Sequence, residues 1–163
     1  MKRFIVIILV IILITSTFTG CTRLKEMYEK YQEYMQPYYE ESYIARERAE
    51  QFLFAIANDD FETAREYLHP DLIASEYDLE EFIELFEDKY DTDFSSGVVI
   101  ENQLKGEISI GCYNRHYSNA IEYKFGVEFL VEDKKLEIYF LTVRTDNGFG
   151  IYELTDFPKG YHN

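Results

Sequence analysis

Ile121-Glu-Tyr-Lys-Phe-Gly-Val-Glu-Phe-Leu-Val-Glu132 alternates apolar and polar side chains except at Gly126 and Leu130. A period of two puts Ile121, Tyr123, Phe125, Val127, Phe129 and Val131 on one face of a strand, with Glu122, Lys124, Glu128 and Glu132 on the other. Such a strand is half-buried, with one face on a core and one in water. Gly126 in its middle predicts a bulge or a bend. Downstream, a turn at Asp133-Lys134 leads to a strand over Leu136–Arg144. Asn147-Gly148 is the strongest hairpin signal in the chain and predicts a type I′ turn, because both residues tolerate positive φ. A last strand, Phe149–Leu154, follows. Upstream, Val98–Leu104 and Glu107–Tyr113 read as shorter strands.

Before Gly97 the period is 3.6 instead. Ala45, Ala49, Phe52, Leu53 and Ile56 share one helix face, with Arg46, Glu47, Arg48 and Glu50 turned mostly outward. A second helix opens at Asp59, with Glu62 at capping-box spacing and an apolar face of Phe61, Ala64, Tyr67 and Leu68. His69-Pro70 ends it, and a protonated His69 there would suit the negative end of the helix dipole. The third helix opens at Asp78 with Glu81, and buries Leu79, Phe82, Ile83, Phe86 and Tyr90. Its Glu80, Glu84, Glu87 and Asp88 read as the solvated side. Three helices followed by tightly connected strands define an α+β domain, with helices packed on one face of a largely antiparallel sheet.

The N-terminus reads differently. Lys2 and Arg3 precede an apolar run from Phe4 to Ile14, the layout of a secretory signal peptide and too short to span a bilayer comfortably. Phe18-Thr19-Gly20-Cys21 resembles the lipobox of prokaryotic lipoproteins, with Phe18 where that pattern usually has Leu. The resemblance implies cleavage after Gly20 and a lipid on Cys21. Losing residues 1–20 from 163 leaves 143, one domain plus a tether. It also removes Lys2 and Arg3, so the formal charge of −15 becomes −17. A chain so acidic is repelled by nucleic acid and by anionic lipid head groups, which excludes nucleic acid as a partner. With Cys21 lipidated, Cys112 has no disulfide partner. Alternation with Ile108 and Ile110 points Cys112 into the core.

The expected organisation is therefore a signal over 1–20, a tether helix over 21–44, the domain over 45–157 and a tail over 158–163. In the tether, Leu24, Tyr28, Tyr31, Met35 and Tyr38 have the a/d spacing of a coiled-coil seam over about two heptads. Pro37 is expected to break this helix or reset it at a new first turn.

Within the domain, Ala49-Glu-Gln-Phe-Leu-Phe-Ala-Ile-Ala-Asn-Asp-Asp-Phe-Glu-Thr-Ala-Arg-Glu-Tyr-Leu-His-Pro-Asp-Leu72 resembles the opening of nuclear transport factor 2-like domains, in particular those of small bacterial lipoproteins. The resemblance covers Ala45 to about Phe157. It implies a cone, a strongly bent sheet wrapped around the first helix and often enclosing a pocket. Relatives on that fold include isomerases, dehydratases and hydrolases as well as binding and assembly domains, so fold alone does not choose.

Few residues offer chemistry. His162 is penultimate. His116, in Asn114-Arg-His-Tyr-Ser-Asn119, reads as part of a turn and would reach a cone's mouth beside Arg115, Tyr117 and Tyr123. His116 and Tyr123 are the binding candidates, and no catalytic residue is assigned. Asp91, Asp93 and Ser95 mimic the start of a calcium loop, but Ser96 and Asn102 stand where Gly and Glu are required. No zinc spacing, phosphate loop or nucleophile motif is present, and no cofactor is expected. The sequence is read as a lipid-anchored extracytoplasmic binding or assembly module, held to the membrane through Cys21. Its partner would be an envelope protein, a small apolar ligand or a second copy. The alternative is a small-molecule isomerase, dehydratase or hydrolase using the cone pocket.

Overall fold

The computed structural model describes residues 2–75, 77–113 and 118–155, without the side chains of 2–22, 112, 113 and 118. His116, His162 and the 158–163 tail lie outside the described residues, as do the side chains of Cys21 and Cys112. The elements are α1 (Lys2–Ile56), α2 (Phe61–Glu66), α3 (Pro70–Ala74), α4 (Leu79–Tyr90), a 3-10 turn (Phe94–Ser96), β1 (Val99–Gln103), β2 (Glu107–Tyr113), β3 (Ser118–Val131), β4 (Lys134–Thr145) and β5 (Gly148–Thr155). The chain divides into two compact units, Met1–Glu40 and Glu41–Asn163. Helix α1 runs unbroken through Pro37, contrary to the expected break. Proline denies an N–H to the carbonyl four residues back and its ring crowds that carbonyl, and a long helix with bonds on either side absorbs both costs.

In the second unit the two halves of the sequence pattern meet. β3 and β4 pair without interruption from Ile121↔Arg144 to Val131↔Lys134. This sets Phe125 beside Phe140, Val127 beside Ile138 and Phe129 beside Leu136 on one face, all buried. The last turns of α1 lay Ala45, Ala49, Phe52, Leu53 and Ile56 into the same core. Phe52 meets the Phe140 ring edge-on at 6.1 Å, and Phe140 stacks on Phe125 at 5.7 Å. Towards one end, Phe86 of α4 and Phe94 of the 3-10 turn pack on Phe129, with Phe94 to Phe129 at 5.7 Å. The fold is α+β: helices followed by a bent, open, antiparallel five-stranded sheet. β1 and β2 both pair with the same edge of β3, at Val127–Leu130 and Ser118–Lys124 respectively.

The irregularities fall elsewhere than the sequence suggests. Gly126 pairs with Tyr139 in unbroken register, and the shifts sit in β1, in β2 and at Leu141/Thr142. Glycine at 126 instead makes room for two side chains: a Cβ would lie 2.9 Å from Leu104 Cδ1 and from the Tyr139 ring, which would have to move aside. The β3–β4 turn is Glu132-Asp133, one residue early, with φ of 49° and 64°. The last hairpin turns at Asp146-Asn147, closed by the pair Thr145↔Gly148. Asn147 is held there by its amide on Thr145 Oγ1 and its side chain on Asp71, and the positive φ falls on Gly148. Of the β2 series, Ile110 is exposed rather than buried.

The helix caps show a similar shift. Asp78 accepts the Glu81 N–H at 3.0 Å as expected. The cap of α2 is Asp60, one residue beyond Asp59, and accepts the Thr63 N–H at 3.0 Å. His69 does not cap the end of α2 with a charge. It is the N-cap of the additional helix α3, where Nδ1 accepts the Asp71 N–H at 3.2 Å. Nε2 therefore carries the proton of the neutral ring and donates to Thr145 Oγ1 at 3.1 Å. The ring is fully buried. Burial pushes its pKa below the ordinary 6.5, opposed by the Asp71 carboxylate and the Gly148 backbone and reinforced by Arg144.

The sign of the pH dependence follows. With the folded pKa depressed, the unfolded chain binds the proton more readily, so stability rises with pH between the folded and unfolded values. His69 contributes fully above the unfolded value near 6.5 and loses its contribution as pH falls below it. Thermal melts from about pH 7.5 to about pH 5.5 should show a falling midpoint, and His69→Gln should flatten that slope. An unchanged slope in the variant would remove His69 as its source.

Candidate functional site

The face that carries Phe125 and Phe140 continues past them. Two residues on, Tyr123 pairs with Thr142, and after them Ile121 pairs with Arg144. On α1, one turn before Ala45, stands Glu41. These positions bring polar groups together at the end of the apolar face. Arg144 Nε donates to Glu41 Oε1 at 2.7 Å and a second guanidinium nitrogen reaches the same oxygen, while the Tyr123 hydroxyl donates to Oε2. Both carboxylate oxygens are engaged in charge-assisted bonds of the stronger kind. Phe149 of β5 completes the group. Arg144 Cζ lies 4.4 Å and Arg48 Cζ 5.4 Å from its ring centre, and Tyr123 meets the ring edge-on at 6.0 Å.

Tyr123, singled out from sequence as a binding residue, is 1% exposed. Its companion His116 lies outside the described residues. Thr142 beside it is fully buried, and its hydroxyl has no hydrogen-bond partner among the described residues. Arg46 and Arg48, expected to face outward, instead lie half-buried along the sheet. Arg46 covers Phe125 at 5.0 Å and donates to the Leu104 carbonyl at 2.9 Å. Their guanidinium heads lie over aromatic faces and donate to backbone oxygens.

A second feature was read from sequence as plain solvated surface. Glu80, Glu84 and Glu87 of α4, with Asp59 and Asp93, rim a recess of about 220 Å³ floored by Ile56, Phe61, Ile83 and Phe94. Glu87 is half-buried, and Oε1 accepts the Phe94 N–H at 2.7 Å. Burial pushes its pKa above the ordinary carboxylate value, the Phe94 bond opposes this, and Asp93, Asp59 and Glu84 add to the rise. Glu80 is paired with Arg65. The rim attracts positive charge. Among the described residues no group of three or more His, Cys, Asp or Glu side chains is placed to hold a metal ion. Nor, among them, is any helix long and apolar enough to cross a membrane.

No protein-family model, curated protein or solved structure matches the chain. Its chemistry is therefore read from these residues alone. Of the polar group at the end of the sheet, Tyr123 was within reach of the sequence, because the period that buries Phe125 also aligns it; its pairing with Glu41 and Arg144, 82 and 103 residues apart in the chain, was not. The acidic recess was not. It depends on how the 3-10 turn folds Phe94 back under α4, which no local pattern announces.

Proposed function

We propose that this is a lipid-anchored extracytoplasmic binding or assembly module with a nuclear transport factor 2-like fold, tethered through a lipid on Cys21. The observation that supports the binding reading is the filling of the sheet face where an enzyme on such a fold needs room. Phe52, Leu53 and Ile56 occupy it against Phe125, Ile138 and Phe140. The polar side chains at its end, Glu41, Tyr123 and Arg144, are engaged with one another. Half-buried arrangements of this kind fix a helix on a sheet, and leave recognition to the outer surface.

His116 is the residue on which the enzyme alternative depends. Acid/base work at neutral pH needs a pKa moved by burial or by a neighbouring charge. In a binding module the imidazole is expected to titrate near the ordinary histidine value of ~6.5. An NMR titration of His116 in the intact protein reads this directly. A displacement of more than about two units, the size expected of a desolvated active-site group, would favour the enzyme and overturn the module.

A further inference from the structure

Within the first unit, α1 presents a row of large side chains to solvent. Leu24, Met27, Tyr28, Tyr31 and Tyr34 are each between 52% and 68% exposed. Written as a heptad, Leu24 and Tyr31 fall at d, Tyr28 at a, and Met27 and Tyr34 at the flanking g position. Met35, next in the series, is already buried at 8%, so the free row ends at Tyr34. Scattered exposed apolar residues need no explanation, but a contiguous row on one helix face does.

We infer that this row is one half of a parallel two-stranded coiled coil whose other half is a second copy of the chain. Two observations choose this occupant. The first is where the charge lies. Glu26, Glu33 and Glu40 are spaced by sevens at the f position, directly behind the seam, and the e positions beside it carry Lys25 and Gln32. A chain of net charge −15 can therefore bring two copies together along this line without opposing carboxylates. A lipid surface suits the helix less well. Helices that lie in a membrane interface have polar faces rich in Lys and Arg. Here Arg23, Lys25 and Lys30 are balanced by Glu26, Glu29 and Glu33.

The second observation is area. Five large side chains at such exposure leave roughly 600 Å² per copy, so covering both copies removes at most about 1,200 Å², the low end for specific interfaces. Such a dimer is weak in dilute solution and gains from confinement, since tethering converts association into an event at high effective concentration. The parallel orientation rests on the proposed anchoring, which holds both N-termini at one surface.

Oxidative cross-linking tests this in the full-length chain carrying Cys112→Ala, in native membranes. Single cysteines would be introduced as Leu24→Cys, Tyr28→Cys and Tyr31→Cys on the seam, and as Glu26→Cys and Glu33→Cys behind it. All five positions are exposed, so the fold of the second unit is not at stake. Disulfide dimers should form at least about fivefold more at 24, 28 and 31 than at 26 and 33, the helical periodicity of a parallel seam. Equal yields at all five positions, or none above the parent without an added cysteine, would overturn the proposal. So would protection of the Tyr28→Cys and Tyr31→Cys thiols from a water-soluble maleimide by lipid vesicles without dimer formation, which would assign the row to the membrane. The same series in a Cys21→Ser background at high protein concentration separates the two claims. Retained periodicity without lipid on the parent chain would remove the anchor and keep the seam.

Discussion

Phe52→Ala should destabilise the domain by about 3–5 kcal/mol, the range for deleting a buried phenylalanine ring. The ring is fully buried and meets Phe140 edge-on, with Phe125 stacked behind Phe140. The cavity left by alanine is bounded on the sheet side by the β3–β4 ladder, whose eleven consecutive pairs resist local collapse. On the helix side it is bounded by Leu53 and Ile56, which already fill their own positions. Relaxation is therefore small, and the loss should approach the upper part of the range. Denaturant melts measure it, with Phe54→Ala as the internal comparison. Phe54 lies on the other side of the same helix turn and is 39% exposed, so its truncation should cost well under half as much. A Phe52→Ala effect below ~0.5 kcal/mol, typical of surface positions, would mean that this helix face is misassigned.

Gly150→Ala is expected to cost about 3 kcal/mol through backbone rather than side-chain packing. A Cβ at 150 would stand 2.6 Å from the Leu68 carbonyl and from His69 N. Those atoms are fixed by the exchange between the two segments: His69 N–H donates to Ile151 O at 2.7 Å, and Ile151 N–H donates to Tyr67 O at 2.9 Å. A methyl group cannot enter without separating the segments, which breaks both bonds and admits water to the His69 ring. Amide exchange at His69 and Ile151 should accelerate more than at Phe125 or Ile138, in the middle of the sheet. A loss below ~1 kcal/mol, under the usual cost of overpacking, would show that the Leu68–His69 segment moves aside freely.

These two positions mark how far the sequence could be read. Phe52 follows from a helical period that tertiary packing does not disturb, and the alternation in β3 marks which of its side chains are buried, although the ring that Phe52 meets is Phe140 of β4. That is why the α+β class and the core were legible. Gly150 was not, because its constraint comes from a chain segment some eighty residues earlier, and nothing in Phe149-Gly-Ile151 encodes the approach. The shift of the last turn has a similar origin. Asn147 satisfies the local hairpin rule, but its bonds to Thr145 and Asp71 move the turn back by one residue. His69 was misread for a related reason. The pattern His-Pro marks the end of a helix and equally the start of the next, and only the bond from Asp71 decides which. At the candidate site, Tyr123 was found but its commitment to Glu41 and Arg144 was not, since pairing across the fold has no local signature.

The proposed anchor is tested most directly by mass analysis of the N-terminal peptide from the membrane fraction. The mature chain should begin at Cys21, with a diacylglycerol thioether on its sulfur, and Cys21→Ser should leave the protein without lipid. An N-terminal peptide that retains residues 1–20 in the wild-type membrane fraction, or a Cys21→Ser variant recovered still lipidated, would contradict the assignment of this chain as a lipid-anchored module.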